Sequence, residues 1–142
     1  MISMGVGGGT GGRKLLVAVK AALTTVLAGA NNDLVFTADL AGYAGNSITV
    51  TYVDPGGVTA TLGVVVTGSA IVVNLGRTGS AIDTTATALA AAIAASPAAA
   101  ALVDVTNSGA DTGAGLVTAM SIQSLTGGKN KVREVGTGWE FE

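Results

Sequence analysis

Asn32–Leu75 reads NDLVFTADLAGYAGNSITVTYVDPGGVTATLGVVVTGSAIVVNL, and its reading decides the fold. In Ile48–Val53 the residues alternate, with Ile48, Val50 and Tyr52 on one face and Thr49, Thr51 and Val53 on the other. Period-two alternation of β-branched and aromatic residues is the pattern of a half-buried strand. Asp54-Pro55-Gly56-Gly57 stops that strand: Pro presets φ, Gly admits positive φ, and the Asp side chain can bond the turn backbone. Leu62–Thr67 and Ala70–Leu75 form a hairpin around Gly68-Ser69, a Gly-X pair suited to a two-residue II′ turn. The continuous run Val64–Val66 predicts a strand covered on both faces. Upstream, Leu34–Leu40 is a further strand, linked to Ile48 by Ala41–Asn46.

Downstream, Thr84–Ala95 is the best helix of the chain, because Ala carries the highest helix propensity. Asp83 is the expected N-cap, and Ala86, Leu89, Ala90 and Ile93 make one narrow apolar face. Ser96-Pro97 ends the helix and opens a short second turn over Ala98–Leu102. Val103–Thr106 is a short strand, Asn107–Gly115 a polar loop, and Thr118–Leu125 a last strand with Met120 and Ile122 facing inward. The five letters Thr-Gly-Ser-Ala-Ile occur at Thr67–Ile71 and again at Thr78–Ile82. The first copy falls in a hairpin and the second is expected to open a helix, so the repetition reads as low complexity. The predicted fold class is α+β: a mostly antiparallel, sandwich-like β-core packed on one Ala-rich helix, with extended arms at both ends. The divisions are an N-terminal arm over 1–30, a core over 31–128 and a charged, aromatic tail over 129–142.

With 142 residues the chain is long enough for one ordinary domain, but much of its 49% hydrophobic content is Ala. Five aromatics are present, Phe36, Tyr43, Tyr52, Trp139 and Phe141, so the core is expected to be thin and to lean on contacts with other subunits. There is no Cys and no His, which removes disulfides, thiolate chemistry, the usual general base and the usual metal ligand. No two carboxylates form a recognisable catalytic pair, and Asp111 lacks the companions a calcium loop needs. These absences argue for no catalytic residue, no cofactor and no metal site, and against an enzyme.

Charge is segregated. Arg13, Lys14 and Lys20 lie near the start, and Lys129, Lys131 and Arg133 near the end; between Asp33 and Gly128 the single cation Arg77 faces six aspartates. The net charge of −2 argues against nucleic acid as main partner. Basic flanks either solvate exposed ends or dock on acidic protein surfaces. Gly7–Gly12 matches G-x-G-x-x-G in letters, but the dinucleotide motif needs a strand before it and a helix after it. Arg13–Ala30 imitates a signal peptide, yet Lys20 interrupts its apolar run, and the segment is too short and too charged to span a bilayer. It fits a short amphipathic helix and an added strand equally well, and is read as an arm that packs on its own or an adjacent subunit. In Lys129–Glu142, Trp139 and Phe141 alternate with Glu140 and Glu142. Trp and Phe at an exposed terminus suit an interface; folding back onto the core is the other reading. The candidate partner-binding residues are therefore Arg13, Lys14, Lys20, Lys131, Arg133, Trp139 and Phe141.

The order NDLVFTA, then GN.I.V.YVDPG, a Val-rich hairpin, TA..LAAAI..SPAA..LV and a closing SLTGG resembles a module of structural proteins of tailed bacteriophages. Among small stand-alone proteins it is similar to capsid decoration (cement) proteins; related modules look like insertions in tail-sheath and other virion proteins. The resemblance covers Asn32 to Gly128 and neither end. It implies a homo-oligomer, with a trimer favoured, that clamps the major capsid protein lattice from outside the head, its arms reaching over neighbouring capsid subunits. Two alternatives stand beside it: a tail-tube or tail-sheath component, and a secreted or cell-surface adhesin, for which few aromatics are present to stack sugars.

Overall fold

The computed structural model describes residues 15–135 and 138–141, and for 15, 16, 132–135 and 138–141 only the backbone. In chain order the strands are β1 (Leu15–Leu16), β2 (Lys20–Thr24), β3 (Leu34–Ala41), β4 (Thr49–Val53), β5 (Gly63–Thr67), β6 (Ala70–Asn74), β7 (Arg77–Thr78) and β8 (Ala81–Ile82). Two helices follow, α1 (Ala86–Ala95) and α2 (Pro97–Ala100), and then β9 (Val103–Asn107), β10 (Met120–Ser124), β11 (Val132–Val135) and β12 (Gly138–Phe141). A 3₁₀ turn over Tyr43–Ser47 joins β3 to β4.

The fold is α+β, with mostly antiparallel sheets and one main helix. One sheet has the order β10-β4-β6-β5 and the other β2-β3-β9. The exception to antiparallel pairing is β4 with β6, which run parallel, so β5 is the outer strand and β6 is inserted between it and β4. The two sheets meet where the chain leaves β10. The Leu125 amide donates to the Ile48 carbonyl, and Thr126 pairs with Ala22 of β2. The segment after β10 thus hands the ladder from one sheet to the other. The helices lie against both outer strands, β5 and β9.

The core fills the space between. Leu34, Phe36 and Ala38 of β3 face Val50 and Tyr52 of β4 and Ile71 and Val73 of β6, and Leu89 and Ile93 of α1 close it. Phe36 and Tyr52, the only aromatic pair in contact among the described residues, stand 6.3 Å apart at 50°. Small residues let the elements approach: a Cβ at Gly45 would lie 2.9 Å from the Cβ atoms of both Ala21 and Ala38.

Several elements depart from what local pattern predicts. Lys20–Thr24 is a strand, paired with β3, and its Ala21 is fully buried, so structure shared with the core begins before residue 31. The N-cap of α1 is Thr85, whose hydroxyl accepts from the Ala88 amide; Asp83 instead accepts from the Thr78 hydroxyl. Ile122 is 64% exposed, because β10 carries one extra residue between Met120 and Gln123 and the bulge reverses its faces. Val65 is half exposed, since β5 is an outer strand with its second face turned to solvent. Both Thr-Gly-Ser-Ala-Ile copies make two-residue hairpin turns: Thr67 pairs with Ala70, and Thr78 with Ala81. Gly68 and Gly79 take φ of 61° and 60°, and Ser80 also lies at positive φ whereas Ser69 does not, so one sequence serves II′-like and I′-like turns.

Candidate functional site

Among the described residues, the segment from Leu15 to Ala22 pairs with the one from Thr126 to Arg133. Ala22 stands opposite Thr126, Val19 opposite Lys129, Leu16 opposite Val132 and Leu15 opposite Arg133. These pairs keep one register, and Gly127 between them takes a φ of 83°. Beyond Val19 and Lys129 the ribbon becomes a sheet of its own with the order β1-β11-β12. The β11–β12 hairpin sets Trp139 opposite Glu134, Glu140 opposite Arg133 and Phe141 opposite Val132.

This sheet carries three of the seven candidate partner-binding residues. Arg133, Trp139 and Phe141 occupy its strands, and Lys131 precedes β11 and is half-buried. Lys20 stands at the root of the ribbon, exposed, opposite Ala41. Arg13 and Lys14 lie outside the described residues.

The root of the ribbon is pinned and apolar. The Gly42 amide donates to the Val19 carbonyl, the Tyr43 amide to Asn130 Oδ1, and the Asn46 side chain both donates to the Gly128 carbonyl and accepts from its amide. Around these bonds Val17, Val19, Leu40 and Tyr43 are exposed. Beside them an apolar groove of about 250 Å³ opens between Ala38, Leu40, Ala44, Ile48 and Leu102. Residue patterning alone does not find this groove. Leu40 has the inward phase of Leu34, Phe36 and Ala38, yet it is 76% exposed, because the inward face of β3 runs past the end of the core. That mismatch of phase and exposure is its signal.

Elsewhere, Asp33, Asp54 and Asp111 hold backbone. Asp33 accepts from the Thr25 hydroxyl and the Leu27 amide, and Asp111 accepts from the Asp33 amide. Asp54 accepts from the Gly56 amide and from Arg77, which also donates to the carbonyls of Gly57 and Ser80. The Gly56 amide first, and the Arg77 guanidinium second, hold the Asp54 carboxyl below the usual carboxylate range. Gly76–Ser80 therefore closes a turn with its own Arg. Among the described residues no group of Asp and Glu side chains is placed to share a metal ion. No described helix is long and apolar enough to cross a membrane.

The chain matches no protein-family model, and no curated protein and no solved structure matches it.

Proposed function

We propose that this chain is a structural protein of a tailed-phage particle, a decoration protein that binds the major capsid protein on the outside of the head. In this reading it acts as a homo-oligomer, with a trimer favoured, and grips through its paired ends. The observation that carries the reading is the ribbon: β1 and β11 continue one register from Ala22 and Thr126, β12 adds the segment of Trp139 and Phe141 beside β11, and the root carries exposed apolar side chains. Such a surface suits a protein partner. Apolar contact at its centre supplies affinity, and Lys20, Lys129, Lys131 and Arg133 around it steer it to acidic patches.

The test uses capsids stripped of this protein. Full-length chain is expected to rebind, and a chain truncated after Lys131 is expected to lose binding, while its circular dichroism still reports the folded core. Unchanged rebinding by the truncated chain refutes the reading. Electron microscopy of labelled particles separates head from tail, and label confined to the tail refutes decoration.

A further inference from the structure

The β10-β4-β6-β5 sheet turns one face inward, with Val50, Tyr52, Ile71 and Val73, and the other to solvent. On that outer face, pairing sets Thr51, Val72 and Val65 side by side in one row across β4, β6 and β5. Val65, 52% exposed, ends the face on β5, and Ile122, 64% exposed, ends it on β10. The strands β4, β5, β6 and β10 hold five residues each, and none of those residues is charged. The β2-β3-β9 sheet differs: Lys20, Asp39 and Asp104 all stand exposed on its strands. We propose that the outer face of the β10-β4-β6-β5 sheet docks on the same face of a second copy of this chain, about a two-fold axis that runs along the strands between β4 and β6.

Charge selects this occupant. A partner surface with charged groups would strip them of water against the face and find no opposite charge in its strands. An identical uncharged face brings no such cost, and a second copy of the chain supplies it. An exposed apolar patch of this kind marks an interaction surface.

Symmetry fits the face to itself. An axis between β4 and β6 exchanges β4 with β6 and β10 with β5. It therefore sets Val65 of one copy over Ile122 of the other, and Val72 over Thr51, each pair occurring twice. The exposed apolar side chains at the two borders of the face thus cover one another. Sheets stacked in this way lie about 10 Å apart, a gap that β-branched side chains fill from both sides.

Area sets the strength. Four strands spaced by about 4.8 Å, with five residues rising about 3.3 Å each, make a face of roughly 19 Å by 17 Å, on the order of 300 Å² in plan. Counted for both copies, that stays below the roughly 1,200 Å² at which specific interfaces become stable, so the dimer is weak and forms in concentrated solution. The inference does not rest on the capsid reading, and it uses strands other than β1, β11 and β12.

Sedimentation equilibrium of the full chain from about 10 μM to about 1 mM tests it. The weight-average mass is expected to rise with concentration from 13.7 kDa towards twice that value. Added sodium chloride is expected not to weaken the association, because the contact holds no ion pair to screen. Val65→Glu and Ile122→Lys change exposed positions, so their thermal melts are expected to match the parent. Each alone is expected to weaken self-association about tenfold or more, since it sets an unpaired charge against an apolar side chain. An equimolar mixture of the two variants is expected to associate again, because the axis brings the introduced carboxylate of one onto the introduced ammonium of the other. A chain that stays monomeric at the highest concentration overturns the proposal. So does association that either variant leaves unchanged, and so does a mixture that recovers nothing.

Discussion

Replacing Tyr52 by Phe is expected to stabilise the protein. Tyr52 is 2% exposed, and its hydroxyl has no hydrogen-bond partner among the described residues. A buried polar group without a partner costs about 1–3 kcal/mol, so deleting it while keeping the ring recovers part of that cost. The ring itself is well used: it packs on Phe36, and the backbone of Tyr52 pairs with Met120 and Val73. We expect a gain of about 1 kcal/mol, equivalent to a rise in Tm of about 4 °C for a chain of this size. The substitution also changes the alkaline limb. Burial pushes the Tyr52 phenol well above its ordinary value, and the Asp33 charge pushes it further in the same direction. The unfolded phenol ionises near pH 10 while the folded one stays protonated, so the unfolded state binds fewer protons and stability falls as pH rises past about 10. Tyr52→Phe removes this contribution. Thermal melts at neutral pH and over pH 9–11 check both parts. A loss of more than about 1 kcal/mol at neutral pH refutes the reasoning, because it means the hydroxyl is bonded in the folded state.

Thr85→Ala is expected to cost about 1 kcal/mol in a urea titration, the usual value of an N-cap, whereas Asp83→Ala leaves the cap of α1 intact. Gly45→Val forces a side chain against Ala21 and Ala38 and is expected to destabilise by about 1–3 kcal/mol, read by calorimetry. The lowered Asp54 carboxyl adds stability that is present above the ordinary Asp range and lost as pH falls through its folded value. Melts of Asp54→Asn are therefore expected to show a flatter acid limb. Binding to capsids is expected to weaken as salt rises, because the Debye length shrinks from about 10 Å at 0.1 M to about 3 Å at 1 M; a sedimentation assay at the two salt concentrations reads this.

Much of the β-core is legible in the sequence, because its strands bury one face and their letters alternate. Ile48, Val50 and Tyr52 are buried in that pattern, and Ala86, Leu89 and Ile93 mark the buried face of α1. What the letters do not carry is decided at long range. Leu16, Val19 and Leu23 fit a helix and a strand alike; the open edge of β3 and the amides and carbonyls of Thr126 and Lys129 settle the matter for β2. The parallel pairing of β4 with β6 is not visible in a hairpin signal that correctly joins β5 to β6. A bulge moves Ile122 outward without any glycine or proline to announce it. The candidate site was legible as a set of residues and not as a place. Lys131, Arg133, Trp139 and Phe141 stand out by composition, but the meeting of β11 with β1 depends on a register set far back in the chain, at Ala22 and Thr126. The groove beside them has no compositional mark, since it is the unfilled end of an ordinary strand face.

The central claim is that the paired ends of this chain hold it on the outside of a phage capsid. A cryo-electron microscopy map of the intact particle tests it most directly. The account predicts density for the chain on the outer capsid surface, with the β1–β11–β12 sheet against the major capsid protein. A map in which the chain is missing from the head, or sits there with that sheet turned to solvent, contradicts it.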